Sequence, residues 1–149
     1  VREQSENAMT VKSLNPYLSF NGNAEHALKF YEQALDAHCD QIMRFDQAPG
    51  MTASEENKNR IMHCQLTIGA GVLMLSDAMP GAPAPHERET NVVLHFSDEA
   101  DLNARFSALS EGGKVSFPVH DTFWGAKFGM LVDKFGVPWM LIYELAKPR

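Results

Sequence analysis

The chain spells the same order of elements twice, and that repetition constrains its fold more than any other feature. The triplet "LSF" (18–20) precedes one helical stretch as "LHF" (94–96) precedes another, and "GVLML" (71–75) is answered by "GVPWML" (136–141). A duplication of about 60 residues accounts for both echoes at once.

Each half can be read from its periodicity. Residues 14–22, "LNPYLSFNG", alternate and carry β-favouring Tyr17 and Phe20, with Pro16 near the start, where a strand tolerates it. "NAEHALKFYEQALDA" follows, with Ala27, Leu28, Tyr31, Ala34 and Leu35 at helical spacing and Asn23 placed to cap the first turn. A strand is expected over 39–45 and a polar connection with a Pro-Gly turn over 46–60. "IMHCQLTI" (61–68) and "GVLMLSD" (71–77) then form a hairpin turning on glycine.

After the proline-rich "AMPGAPAPHERE" (78–89) the order restarts with a strand at "NVVLHF" (91–96). Residues 97–113 predict a helix, with Ser97 or Asp98 as its cap, Leu102, Phe106 and Leu109 on one face, and a Gly-Gly stop. "KVSFPVH" (114–120) predicts a strand, and "AKFGMLVD" with "VPWMLIYE" a closing hairpin around "KFG". The expected fold class is α+β. Two βαβββ modules, 9–77 and 90–149, joined by a linker at 78–89, would build curved mixed sheets around a cleft, with residues 1–8 an upstream remnant.

Composition limits the partners. Thirteen basic and 19 acidic residues give a formal charge of -6, and the basic ones are scattered, so no stripe exists to neutralise phosphates. No apolar run approaches the roughly 20 residues of a membrane span, and the first eight residues lack the apolar segment of an export signal. Neither nucleic acid nor membrane is an expected partner. With only Cys39 and Cys64 in the chain, the expected setting is the cytoplasm, with both thiols reduced.

Strand alternation separates two kinds of row. Met62, Cys64, Leu66 and Ile68, with Pro16, Leu18 and Phe20 and with Val92, Leu94 and Phe96, should lie under the helices. The opposite rows hold Asn15, Tyr17 and Ser19; His63, Gln65 and Thr67; and Asn91, Val93 and His95. These are semi-polar but nearly uncharged, which suits a ligand cleft, whereas an antiparallel sheet face left to water normally carries Lys and Glu.

Three stretches together, "NPYLSFNGNAEHALKFYEQAL", "MHCQLTIGAGVLMLSD" and "FWGAKFGMLVDKFGVPWMLIY", resemble the PhnB-like branch of the glyoxalase, bleomycin-resistance and extradiol-dioxygenase superfamily, also called vicinal oxygen chelate. The likeness runs from about residue 14 to 143. It implies paired βαβββ modules, usually in a homodimer whose concave sheets each surround a site. Metal-dependent members hold a divalent ion with His or Glu at four places, one each on the first and third strands of a half and their repeats. Aligned through the helix phase and the hairpins, those places fall near Asn15, Gln65, Asn91 and Met140. Neutral amides seldom build a hard-ion site alone and a thioether is too soft for one, so no cofactor is expected. A shift of two residues keeps each side chain on its face and substitutes His63, His95 and Glu144 or Ile142. That alternative set would hold one divalent metal such as Fe, Mn, Ni or Zn and serve a lyase, dioxygenase or thiol transferase. The branch is also often labelled a ubiquinone methyltransferase, but no glycine-rich strand-to-helix turn is present to seat adenosylmethionine.

Other residues divide between chemistry and packing. Cys64 follows His63, so the two point to opposite faces and Cys64 is expected in the core. His120 and Asp121 read as a solvated strand end, and His26, His38 and His86 receive no role. Trp124, in "TFWG", reads as a cap over a planar ligand or as an interface residue, and Trp139 as core beneath the second helix. Lys127 would meet an anionic ligand or a surface carboxylate. The expected function is small-molecule binding in a homodimer, by Tyr17, His63, Gln65, Asn91, His95, Trp124 and Lys127, with no catalytic residue assigned.

Overall fold

The computed structural model describes residues 12–47, 54–78 and 88–144. The first half runs β1 (Tyr17–Phe20), α1 (Ala24–Leu35), β2 (His38–Arg44), a short 3-10 turn (Phe45–Gln47), β3 (Ile61–Ile68) and β4 (Gly71–Asp77). The second runs β5 (Val92–Phe96), α2 (Glu99–Ser110), β6 (Lys114–Asp121), β7 (Ala126–Val132) and β8 (Pro138–Glu144). This is the doubled strand, helix and three strands that the repeat demands. The expected remnant at 1–8, His86 and most of the linker lie outside the described residues.

Each half makes a 4-stranded mixed sheet, in the orders β1-β4-β3-β2 and β5-β8-β7-β6. The first strand of each half runs parallel to the last, and the other pairings are antiparallel. Pro118 lies in β6, an outer strand, where its missing N–H interrupts no inner ladder. The two helices pack against each other, so the halves share one core. Tyr31 of α1 and Trp139 of β8 meet there edge to face, with ring centroids 5.4 Å apart. Gly129 lets α2 lie close on the second sheet: a Cβ there would stand 2.7 Å from the Phe106 ring.

Two buried aspartates organise the ends of this core. Asn23 occupies the cap position of α1 but makes no side-chain capping bond. Instead Asp77, at the end of β4, accepts from Gly22 N and Ala24 N through Oδ1 and from Ile61 N through Oδ2. A carboxylate brought from the neighbouring strand thus does what the local Asn23 was expected to do, and its negative charge suits the positive helix end. The second helix follows the expected pattern, since Asp98 accepts from Asp101 N at 2.8 Å. Asp133 closes the β7–β8 turn by accepting from Phe135 N and Val137 N. Its other oxygen takes the Tyr31 hydroxyl and the Trp139 indole N–H.

Candidate functional site

With the helices on one side of each sheet, the other side is open. Registers across the strands give its composition directly. In the first sheet Tyr17, Met74, Gln65 and Gln41 stand in line over β1, β4, β3 and β2. In the second sheet the matching line is Val93, Met140, Met130 and Phe117 over β5, β8, β7 and β6. A neighbouring line holds His95, Ile142, Phe128 and His120. None of the residues in these three lines carries a fixed charge. Among the described strand residues of the open faces, acids stand at the margins, at Asp40 beside the β2 bulge, which accepts from the Thr67 hydroxyl, and at Glu144 where β8 ends.

The first sheet presents one polar pair. Tyr17 Oη and His63 Nδ1 are 2.9 Å apart, and their rings are tilted at 5.6 Å. Because β4 separates β1 from β3, the two side chains meet over it. The phenol and imidazole fix each other's orientation while leaving His63 Nε2 available to a ligand.

The second sheet presents aromatics. The His120 ring lies 6.0 Å from Phe128 edge-on and 6.4 Å from Phe117, while Trp124 lies 6.3 Å from Phe128 and 5.1 Å from Phe123. The carbonyl of Pro118 is 2.7 Å from His120 Nδ1 and can only accept, so that nitrogen carries a proton. His120 is exposed near the end of β6, as a solvated strand end should be, and its ring also packs beside Phe117 and Phe128. β6 mixes Lys114, Ser116 and Asp121 with apolar residues, and the register shift between Phe117 and His120 breaks its alternation, so phase alone does not give the face of His120.

Gln65 and His95, with Asn15, Met74 and Val93, also line a cavity of about 1150 Å³ between the first and second halves, which Asp36, Asp101 and Arg105 line as well. Asn15 donates its amide to Val72 O at 3.2 Å, and Asn91 directly precedes β5. Lys127 stands apart from this group. It is in register with Tyr143, whose ring packs on the core, and so projects on the helix side. There its ammonium meets Asp121 at 2.7 Å and Glu99 at 3.3 Å. Hydrogen bonds to Asp121 and then Glu99 hold its pKa above the ordinary lysine value.

The donor sets fit a metal poorly within one chain. Among the described residues no three His, Cys, Asp or Glu side chains converge. His63 belongs to the first sheet, whereas His95 and Glu144 belong to the second. Of the positions aligned with the superfamily's metal ligands, Met140 proves to lie on the fourth strand of its half, not the third, and the repeat partner of Gln65 is Met130. Both replacements remain thioethers, which leaves the chemical mismatch with a hard ion in place.

Comparison with known proteins follows the same lines. The chain is 33% identical over 138 residues to Protein YjdN of Escherichia coli, covering 86% of this chain and 92% of that one. The crystal structure of protein PA1353 from Pseudomonas aeruginosa superposes with a TM-score of 0.81 at 36% identity, covering 90% of this chain and 98% of the other. A Bacillus cereus structure described as "Putative 3-demethylubiquinone-9 3-methyltransferase, PhnB protein" gives a TM-score of 0.73 at 25% identity, covering 89% and 99%. Residues 13–141 match one family along nearly the whole chain, and the protein belongs to the Glyoxalase/Bleomycin resistance protein/Dioxygenase superfamily.

Proposed function

We propose that this protein is a PhnB-like member of the superfamily that binds a small, planar, largely uncharged organic molecule on its open sheet faces, without a catalytic metal. The observation that carries this reading is the composition of the registered lines: methionines, aromatics, amides and histidines with no fixed charge. Pockets need that mixture of apolar wall and sparse polar groups. Tyr17 and His63 would orient the ligand by hydrogen bonds, with Gln65, Asn91 and His95 beside them and Trp124 as stacking surface. The likeness to the Bacillus cereus PhnB protein supports the branch assignment.

A second copy of the chain completes the site in this reading. On the second sheet Phe117 is 56% exposed, Trp124 51% and Val93 45%, and Tyr17 on the first is 49% exposed; exposed large apolar residues on open sheet faces ordinarily meet a partner. The proposed setting is the cytoplasm, with a small molecule and a second copy as partners. Among the described residues no helix is long and apolar enough to cross a membrane.

The test is calorimetric titration of planar phenols and catechols into the wild type, Tyr17→Phe and His63→Ala. Weaker binding in both variants supports the assignment, and equal binding in all three removes those residues from the site.

One observation favours a metal-dependent alternative. His95 is in register with Ile142, so Glu144 follows on the same face of the adjoining strand. A partner's His63 would then complete the two-histidine, one-carboxylate set. Metal content after exposure to iron, manganese, nickel and zinc decides it: one retained ion per chain that is lost in His63→Ala establishes this alternative.

A further inference from the structure

The sulfurs of Cys39 and Cys64 lie 3.9 Å apart across β2 and β3. Both are free thiols: Cys39 is half-buried on the outer strand and Cys64 is fully enclosed in the core. Cys39 is in register with Leu66 and Cys64 with Ile42, so the pair is diagonal on one face of the ladder. A register shift between Cys39 and Gln41 places a bulge directly beside it. Bulges bend the strand that carries them, which brings this diagonal closer than a regular ladder would.

We propose that Cys39 and Cys64 are a peroxide-oxidisable dithiol that closes to an intrachain disulfide, with Cys39 reacting first. The order follows from access. Cys39 sits on an edge strand, whereas burial, and then the neighbouring Cys39, pushes the Cys64 thiol up to about 12 and keeps it protonated.

The chemistry balances with hydrogen peroxide as oxidant. The Cys39 sulfur attacks one peroxide oxygen, the O–O bond breaks, and a sulfenic acid and one water result. Cys64 Sγ then attacks Cys39 Sγ, the S–O bond breaks, and the leaving hydroxide takes the Cys64 proton as a second water. The two thiols lose two electrons and two protons, and peroxide gains them.

Disulfide sulfurs sit about 2.05 Å apart, so the pair must close by roughly 2 Å. The bulged outer strand supplies that movement while Cys64 stays fixed in the core. Because β2 carries Gln41, in register with Gln65 on the open face, closure would also shift that edge of the proposed ligand site.

The test uses the full chain, freed of reductant and treated with hydrogen peroxide. The expected product has lost the mass of two hydrogens, maps to a peptide joining Cys39 to Cys64 within one chain, and is restored by a thiol reductant. Cys39→Ser should form no intrachain disulfide. Cys64→Ala should accumulate a sulfenic acid at Cys39 that dimedone traps. If Cys64→Ala does not fold, Cys39→Ser and the wild type decide alone. Retention of both thiols, oxygen gained at Cys39 or Cys64 of the wild type without an intrachain bond, or a bond between two chains overturns the proposal. Neither result depends on whether the open faces bind a ligand.

Discussion

The Tyr31 hydroxyl donates to Asp133 at 2.6 Å, joining the helix of the first half to the β7–β8 turn of the second. The same carboxylate oxygen takes the Trp139 indole at 2.8 Å, so one buried acid holds residues separated by the entire linker.

Tyr31→Phe should lower stability by about 1.5–3 kcal/mol, the range for a hydrogen bond to a charged group. Burial, and then the charge of Asp133, raises the Tyr31 pKa well above its ordinary value. The folded protein therefore keeps this proton where the unfolded chain releases it. The stabilisation is fully present below about pH 10, the unfolded value, and is lost as pH rises beyond it. Urea titrations at neutral and alkaline pH should show a steeper alkaline decline in wild type than in Tyr31→Phe. Parallel declines would contradict this.

Asp77→Asn should cost at least about 2 kcal/mol, because an amide cannot satisfy the backbone N–H groups of Gly22, Ala24 and Ile61 together. Hydrogen exchange should accelerate first at the start of α1. Protection unchanged there would show that Asn23 takes over the cap.

Charge reversal at Lys127→Glu sets that residue against Glu99 and Asp121 and should lower the melting temperature, the more so at low salt. Ligand affinity should be unaffected, because Lys127 lies on the helix side. Loss of affinity at unchanged melting temperature would return Lys127 to the site.

A charge introduced by Phe117→Asp should dissociate the proposed homodimer, with light scattering reporting half the mass at a concentration where wild type is paired. A monomeric wild type would remove the second copy from the account.

Much of this was legible in the sequence, for identifiable reasons. The 61–68 and 71–77 strands have the boundaries that alternation and the glycine turn imply, and Cys64, Leu66 and Trp139 are buried as their phase requires. What was missed depends on long-range register. Asp77 and Asp133 look like ordinary polar strand ends until the neighbouring strand and helix are in place. The closeness of Cys39 to Cys64 follows from pairing beside a bulge. Alternation fixes a face only while the ladder is regular.

The most direct test of the central claim is methyl NMR of methionine-labelled protein titrated with planar phenols and catechols in metal-free buffer. Met74, Met130 and Met140 stand on the open faces. The account predicts saturable shifts at all three, and loss of the Met74 shift in His63→Ala. Shifts that appear only on adding a divalent metal, or none with any probe, would contradict it.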